Sequence, residues 1–226
     1  MTNFPKRSQL PKPRILYKPH QKGNTDFFEK LSLSTKEKQE LRDQIAQLSI
    51  THVLDSQTTN IPDGQKVKQI MVIEVKLKSD DINLDLLKQL DQRLGMYLIF
   101  QILLENGRAS FLINYKEPLK SPKEGLLYQI VRSFKTEDDI SIDYGVNTLD
   151  ELFGQLVKEV AQDKIIARAE EDISSAIVKS QEIEQLEKKA GQLKKKMYAA
   201  MSMRQQMDYK KAYQQVLADL EKIKTQ

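Results

Sequence analysis

The sequence contains no cysteine among its 226 residues. Disulfides, thiolate nucleophiles and cysteine-ligated zinc are therefore excluded, and nothing indicates an oxidising compartment. The chain also has no hydrophobic run near the ~18 residues needed to cross a bilayer, and no apolar stretch typical of a signal peptide lies near its start. We therefore expect a cytoplasmic protein without a membrane span.

Glycine is also scarce, with eight residues in the chain. The sequence has no Gly-Lys-Ser/Thr, no Gly-x-Gly-x-x-Gly and no Gly-x-Ser-x-Gly, so it gives no support for a glycine-rich phosphate loop or for an elbow serine. The two histidines, His20 and His52, have no partners at metal-ligand spacing. We therefore predict no resident metal and no cofactor.

The net charge of +4 conceals an uneven distribution. Residues 1–23 carry six Lys/Arg and no acid, and residues 188–226 carry ten Lys/Arg against three acids. Because the two ends are +6 and +7, residues 24–187 must carry a net charge of −9. The chain is thus an acidic body with two basic ends.

Composition divides the chain into three segments. Residues 1–24 combine basic residues with four prolines and no periodic pattern, which predicts an extended arm. Residues 25–163 carry the patterns of one globular domain. Residues 164–226 contain no proline and a single glycine, which predicts a basic helical arm.

Helical patterns alternate with strand patterns in the globular segment. Capping boxes at Ser34 and Thr148 and a cap at Asn83 predict helices that begin at 35, 149 and 84, the first of them ending at 48. Apolar or alternating runs predict strands at 50–54, 69–78, 97–103, 109–115 and 126–134.

Turn signals complete this segment. Asn106-Gly107 predicts a hairpin between the third and fourth of these strands. Residues 116–125, with two prolines, predict a loop. The expected fold class is α+β, with a mixed or antiparallel sheet and packing helices.

Two apolar seams with helical spacing follow each other in the C-terminal segment. They lack a common register, which is compatible with a coiled-coil-like hairpin or with one long helix containing a stutter. We favour the hairpin, because a lone helix would leave both seams in water. The first seam comprises Ile183, Leu186, Ala190, Leu193, Met197 and Ala200, and the second comprises Tyr209, Tyr213, Val216, Leu220 and Ile223.

One arrangement could carry catalysis. Pro62-Asp63, followed by Glu74-Val-Lys76 in a strand, matches the wording of the P-D…(D/E)-x-K nuclease signature. In a nuclease, Asp63 and Glu74 would bind Mg²⁺ and Lys76 would orient the attacking water. The alternative is that Asp63 lies in a turn and the other two belong to the polar face of an amphipathic strand.

Basic residues of the C-terminal arm alternate with tyrosines, a pattern that could follow a phosphate backbone. The alternative is a solvated helical face. The candidate residues for binding nucleic acid or a partner are Lys194, Lys195, Lys196, Arg204, Lys210 and Lys211.

Seven stretches carry a resemblance to a known family: Thr59–Pro62, Val67–Leu77, Leu86–Ile102, Leu112–Lys116, Thr148–Phe153, Ile183–Lys188 and Gln205–Lys211. Through them the chain resembles the bacterial domain of unknown function 4391 over most of its length. The family has no settled activity, so the resemblance implies no catalytic residue. It does imply a genomic context beside helicases and DNA methyltransferases, in restriction-like or anti-phage clusters.

These observations favour a non-catalytic accessory subunit of a DNA-processing defence system. The expected partner is a helicase or a DNA methyltransferase, and nucleic acid is a second candidate. Two alternatives stay open: the Mg²⁺-dependent nuclease, and a structural oligomer formed through the C-terminal helices.

Overall fold

The computed structural model describes residues 4–79, 82–104, 107–123, 125–165 and 173–225. It divides into two compact units, Met1–Gln162 and Asp163–Gln226. The second unit begins one residue before position 164, the predicted start of the helical arm.

The first unit is built on one six-stranded sheet in which the strands lie in chain order. Its strands are β1 (Gln9–Tyr17), β2 (Ile45–Asp55), β3 (Gln69–Leu77), β4 (Tyr97–Leu103), β5 (Ala109–Lys123) and β6 (Leu126–Thr136). Only the β3–β4 pair is parallel, and the other four pairs are antiparallel. The predicted α+β fold with a mixed sheet is therefore confirmed.

The described part of the chain also contains seven α-helices, five in the first unit and two in the second. They are α1 (Asn24–Lys30), α2 (Thr35–Gln44), α3 (Ser56–Thr59), α4 (Leu84–Arg93), α5 (Leu149–Ala161), α6 (Ile173–Ala199) and α7 (Met203–Thr225). The parallel β3–β4 pair requires a crossover, which α4 supplies. No helix among the described residues is long and apolar enough to cross a membrane.

Alternate residues of the central strands face two separate helical layers. Ile73 of β3 and Phe100 of β4 belong to a core with Leu41 of α2 and Leu90 of α4. The opposite face meets α5, as the ring centroids of Tyr97 and Phe153 lie 4.8 Å apart. Both faces of the central strands are thus covered, which explains their nearly continuous apolar sequence.

The predicted helix at 35–48 is too long. Ser34 and Glu37 form the expected capping box, but α2 ends at Gln44. Ile45 and Leu48 begin β2 instead, where they pair with β3. Ile45 and Leu48 follow Leu41 at helical spacing, but the same two positions are also buried in the strand. Pairing with β3 favours the strand over a longer helix.

The expectation that residues 1–24 form an arm outside the domain is not what the structure shows. Gln9–Tyr17 is β1, the edge strand paired with β2, and Asn24 begins α1. Pro11 and Pro13 are tolerated because an edge strand needs few backbone donors. The pairing is irregular between Gln9 and Arg14, across those prolines.

The predicted loop at 116–125 is wrong over most of its length. β5 continues to Lys123 and β6 begins at Leu126. Pairing between β4 and β5 ends at Ile113, so Pro118 has a strand neighbour on one side only, where it pairs with Tyr128. Proline has no backbone N–H to donate, and on the side of Pro118 without a neighbouring strand no hydrogen bond between strands is lost.

Local signals placed other elements correctly. The Asn83 side chain caps α4, and Thr148 caps α5 by accepting from the Glu151 amide. β4 and β5 are antiparallel, and Gly107 has the positive φ of 77° that such a turn needs.

In the second unit, α6 and α7 pack against each other as a helical hairpin. Ile183 and Ala190 of the first seam share one buried cluster with Val216 and Leu220 of the second seam. Lys224 near the end of α7 pairs with Glu187 of α6 at 2.8 Å. The chain reverses between Ala199 and Met203, so the hairpin is confirmed and the continuous helix is not.

Candidate functional site

The three residues of the nuclease alternative lie in two segments of the chain. Glu74 and Lys76 are neighbours on one face of β3, with 3.4 Å between Glu74 Oε1 and Lys76 Nζ. Asp63 lies in the loop before Gln69, the first residue of that strand. Gln69 and Glu74 are five residue steps apart along the strand, which is about 16 Å.

The loop that contains Asp63 is attached to the start of α5. The Leu149 amide donates to the Pro62 carbonyl oxygen at 3.0 Å. The Asp150 carboxylate accepts backbone N–H donors from Gln65 at 2.7 Å, Lys66 at 3.2 Å and Val67 at 2.7 Å. Successive amides of this kind form an anion-binding concavity, and here the chain's own carboxylate fills it.

The described residues contain no group of three or more His, Asp or Glu side chains that could hold a metal ion. The ion pair of Glu74 with Lys76 matches the other interpretation of these residues, as the polar face of an amphipathic strand.

The six predicted binding residues all lie near the turn of the hairpin. We call this surface the basic tip. Three of its cations occupy the last two turns of α6 and three occupy the first three turns of α7, and all are exposed. The members are Lys194, Lys195, Lys196, Arg204, Lys210 and Lys211.

The cations of the basic tip are available to a ligand. Within the described part of the chain none of the six forms an ion pair. Lys224, by contrast, pairs with Glu187 further down the same hairpin. Residues 194–211 contain one acid, Asp208, so this stretch carries a net charge of +5.

Large apolar side chains are exposed among these cations. Tyr198 is 73% exposed, Met203 75% and Met207 47%, and Met201 in the turn is fully exposed. In α7, Met207 and Lys211 lie one turn apart on the side away from the Tyr213–Val216 seam. Flexible methionines and an open aromatic ring beside unpaired lysines are typical of a binding surface.

A buried ion pair that the sequence did not predict lies in the first unit. Lys116 of β5 donates to the Asp91 carboxylate of α4, and neither side chain has exposed surface. The same ammonium group donates to the backbone oxygens of Asp91 and Met96. Asn114 Nδ2 donates to the second carboxylate oxygen of Asp91 at 2.7 Å.

Aromatic rings enclose this ion pair. Lys116 Nζ lies 4.5 Å from the ring centroid of Tyr128 and 5.5 Å from that of Tyr97. Burial raises the pKa of Tyr97 to about 12, so its hydroxyl stays protonated at neutral pH. The ammonium group uses all three of its donors within the protein, so the cluster fixes the end of α4 to β5.

The sequence carried one signal for this cluster. Asp91 lies four residues after Leu87 and three before Leu94, inside the apolar stripe of α4. An acid in such a stripe must find a partner, because an unpaired buried charge is very costly. Lys116 gave no such signal, since it belongs to the stretch expected to be a loop.

These observations define the class of protein: an α+β domain built on a six-stranded sheet, followed by a basic helical hairpin. The chain belongs to the family of domain of unknown function DUF4391, whose family model matches residues 8–220. The match extends from β1 into α7, so both units are part of the family pattern. Comparison with curated proteins and with solved structures found no match.

Proposed function

We propose that the protein is a non-catalytic accessory subunit of a bacterial DNA-processing or defence system, and that its basic tip binds nucleic acid. In this proposal the α+β unit docks a protein partner, such as a helicase or a DNA methyltransferase. The observation that carries the proposal is the basic tip itself, six exposed cations without ion pairs in the described part of the chain.

The physical argument is electrostatic. Each lysine or arginine that contacts a phosphate releases condensed counterions, which makes the affinity dependent on salt. A cation that is already paired with a carboxylate contributes less to the affinity for nucleic acid. The unpaired cations at the end of the hairpin therefore contribute most of it. The exposed Tyr198 adds a ring on which an unpaired base can stack.

Charge reversal tests the proposal. The triple variant Lys194→Glu, Lys195→Glu, Lys196→Glu should weaken binding of a fluorescent DNA duplex by more than about 100-fold at low salt. The slope of log K against log salt should become shallower by about 2–3, since three phosphate contacts are lost. Fluorescence anisotropy over a salt series measures both quantities.

The matched control is a second triple variant with the same change in net charge. Lys36, Lys66 and Lys120 are exposed residues of the first unit. Reversing all three should leave duplex affinity within a factor of about three, because they lie outside the basic tip. Equal losses in both triple variants, or no binding of DNA by the unaltered protein, would contradict the proposal.

Tyr198 gives a separate prediction for single strands. Tyr198→Ala should weaken binding of an unstructured oligonucleotide by about 1–3 kcal/mol and leave duplex binding nearly unchanged, because only unpaired bases can stack on the ring. Leu217→Ala, an exposed apolar residue further along α7, is the control. A loss of equal size for duplex and single strand would show that the ring does not act by stacking.

A further inference from the structure

A cavity of about 560 Å³ opens in the first unit, away from the residues considered so far. The end of β1, α1 and α2 contribute to its wall, and Lys78 follows β3. Its volume lies within the range of roughly 300–1,000 Å³ that is usual for small-molecule sites. The aromatic residues of the wall are Tyr17 and Phe28.

Three cations and one acid line this cavity: Lys38, Arg42, Lys78 and Glu29. None of the three cations forms an ion pair with any residue that the structure describes. Asp43, also on α2, does not line the cavity, although its charge acts on Tyr17, and it accepts a hydrogen bond from Gln39 at 2.8 Å. With His20 neutral, the wall therefore has a net charge of +2.

Specific contacts hold these cations at the cavity. The guanidinium carbon of Arg42 lies 5.6 Å from the ring centroid of Phe28, and Lys38 Nζ lies 6.0 Å from it. Lys78 Nζ donates to the Arg42 carbonyl oxygen at 2.5 Å. The positive charges are thus positioned by the fold and do not depend on a carboxylate.

Tyr17 is a further residue of the same wall. Tyr17 is 1% exposed, and its hydroxyl has no hydrogen-bond partner in the described structure. Burial raises the pKa of Tyr17, so the hydroxyl stays protonated and can donate at neutral pH. Because the hydroxyl oxygen itself is buried, the three cations are the groups that can contact a ligand in the cavity.

We propose that this cavity binds the phosphomonoester group of a small ligand, such as a nucleoside 5′-monophosphate. A phosphomonoester carries about −1.5 to −2 charge at pH 7, which matches the +2 of the wall, whereas a single carboxylate would neutralise half of it. The planar donors of Arg42 suit phosphate oxygens, and the lysines act as point charges.

Isothermal titration calorimetry on the full chain tests this site with adenosine 5′-monophosphate and adenosine as probes. The monophosphate should bind at least about tenfold more tightly than adenosine, because only the phosphate meets the cations. Lys38→Met and Lys78→Met should each weaken binding of the monophosphate by about tenfold or more. Lys36→Met is the matched control, because it lies on the same helix but outside the cavity and pairs with Glu40.

Circular dichroism checks that each variant is folded, and Lys78 is exposed enough that its replacement should not disturb the core. A competing oligonucleotide with a 5′-phosphate, compared with its 5′-hydroxyl form, identifies the source of the phosphate. Displacement by the phosphorylated form supports a strand end as the source, and its failure to displace supports a free nucleotide.

Three results would overturn the proposal: no binding of the monophosphate at millimolar concentration, equal binding of adenosine, or equal losses for Lys36→Met and Lys38→Met. The outcome is separable from that for the basic tip. The hairpin triple variant should bind the monophosphate as the unaltered protein does, whether or not the tip binds DNA.

Discussion

Lys116→Met should lower the free energy of unfolding by about 3–5 kcal/mol. The substitution leaves the Asp91 carboxylate without a counter-charge in a place where it has no exposed surface. Asn114 then supplies one hydrogen bond, which does not replace an ion pair. Urea denaturation followed by circular dichroism measures the loss.

A double variant separates the ion pair from the packing around it. Lys116→Met combined with Asp91→Leu removes both charges and fills the same space with apolar atoms, so it should recover part of the lost stability, although Asn114 loses the hydrogen bond that it donates to Asp91. If the double variant is less stable than Lys116→Met alone, the cost lies in the packing of α4 on β5 and the explanation by an unpaired charge fails.

The pH dependence provides a second check on the same variant. Burial raises the pKa of Asp91, and without Lys116 no positive charge opposes that rise. A carboxyl whose pKa is raised in the folded state binds its proton more tightly there than in the unfolded chain. The resulting stability is fully present below the unfolded pKa of about 3.9 and is lost as pH rises. Lys116→Met should therefore be least destabilising near pH 4 and most destabilising at neutral pH, whereas the double variant should not show this trend.

The sequence predicted the elements whose ends are marked by a capping residue or a turn residue. Asn83 marks the start of α4, and Gly107 marks the turn between β4 and β5, so both could be located from neighbouring residues alone. The hairpin of α6 and α7 followed from the break between its two seams. Each of these features depends on contacts close in the sequence.

The elements that the sequence missed depend on distant partners. β1 contains prolines and has few buried side chains, so only its pairing with β2 makes it a strand. The extension of β5 beyond Tyr115 likewise depends on β6. Pairing with a neighbouring strand supplies stability that local propensity does not contain.

The candidate sites divide in the same way. The basic tip is a local cluster of lysines and could be identified from composition. The cavity needs Tyr17 from β1, Phe28 from α1 and Arg42 from α2 in one wall, and the sequence placed the first of these in an extended arm. No pattern along the chain brings these three residues together.

Gly64→Ala should destabilise the first unit by about 2–4 kcal/mol, through overpacking and the loss of hydrogen bonds to Asp150. A Cβ atom at Gly64 would lie 2.3 Å from Asp150 Cγ and 2.7 Å from the Asp150 backbone nitrogen. The side chain can move away, but it then releases the amides of Gln65 and Val67, and the backbone contact remains. Thermal and urea denaturation both measure the effect.

Asp150→Ala is the companion variant, because it removes the carboxylate without the clash. It should cost about 2 kcal/mol through the lost charge-assisted hydrogen bonds. In the Gly64→Ala, Asp150→Ala double variant the total loss should be smaller than the sum, because the side-chain clash and the hydrogen bonds involve the same carboxylate. Strict additivity would show that the two residues do not act on each other.

Gly191→Ala is the matched control for a glycine replacement. A Cβ atom there meets nothing within 4 Å, and the residue lies inside α6. Alanine should therefore stabilise the hairpin by about 0.5–1 kcal/mol, since it favours the helix more than glycine does. Opposite signs at the two glycines would attribute the effect at Gly64 to the contact between its loop and the start of α5.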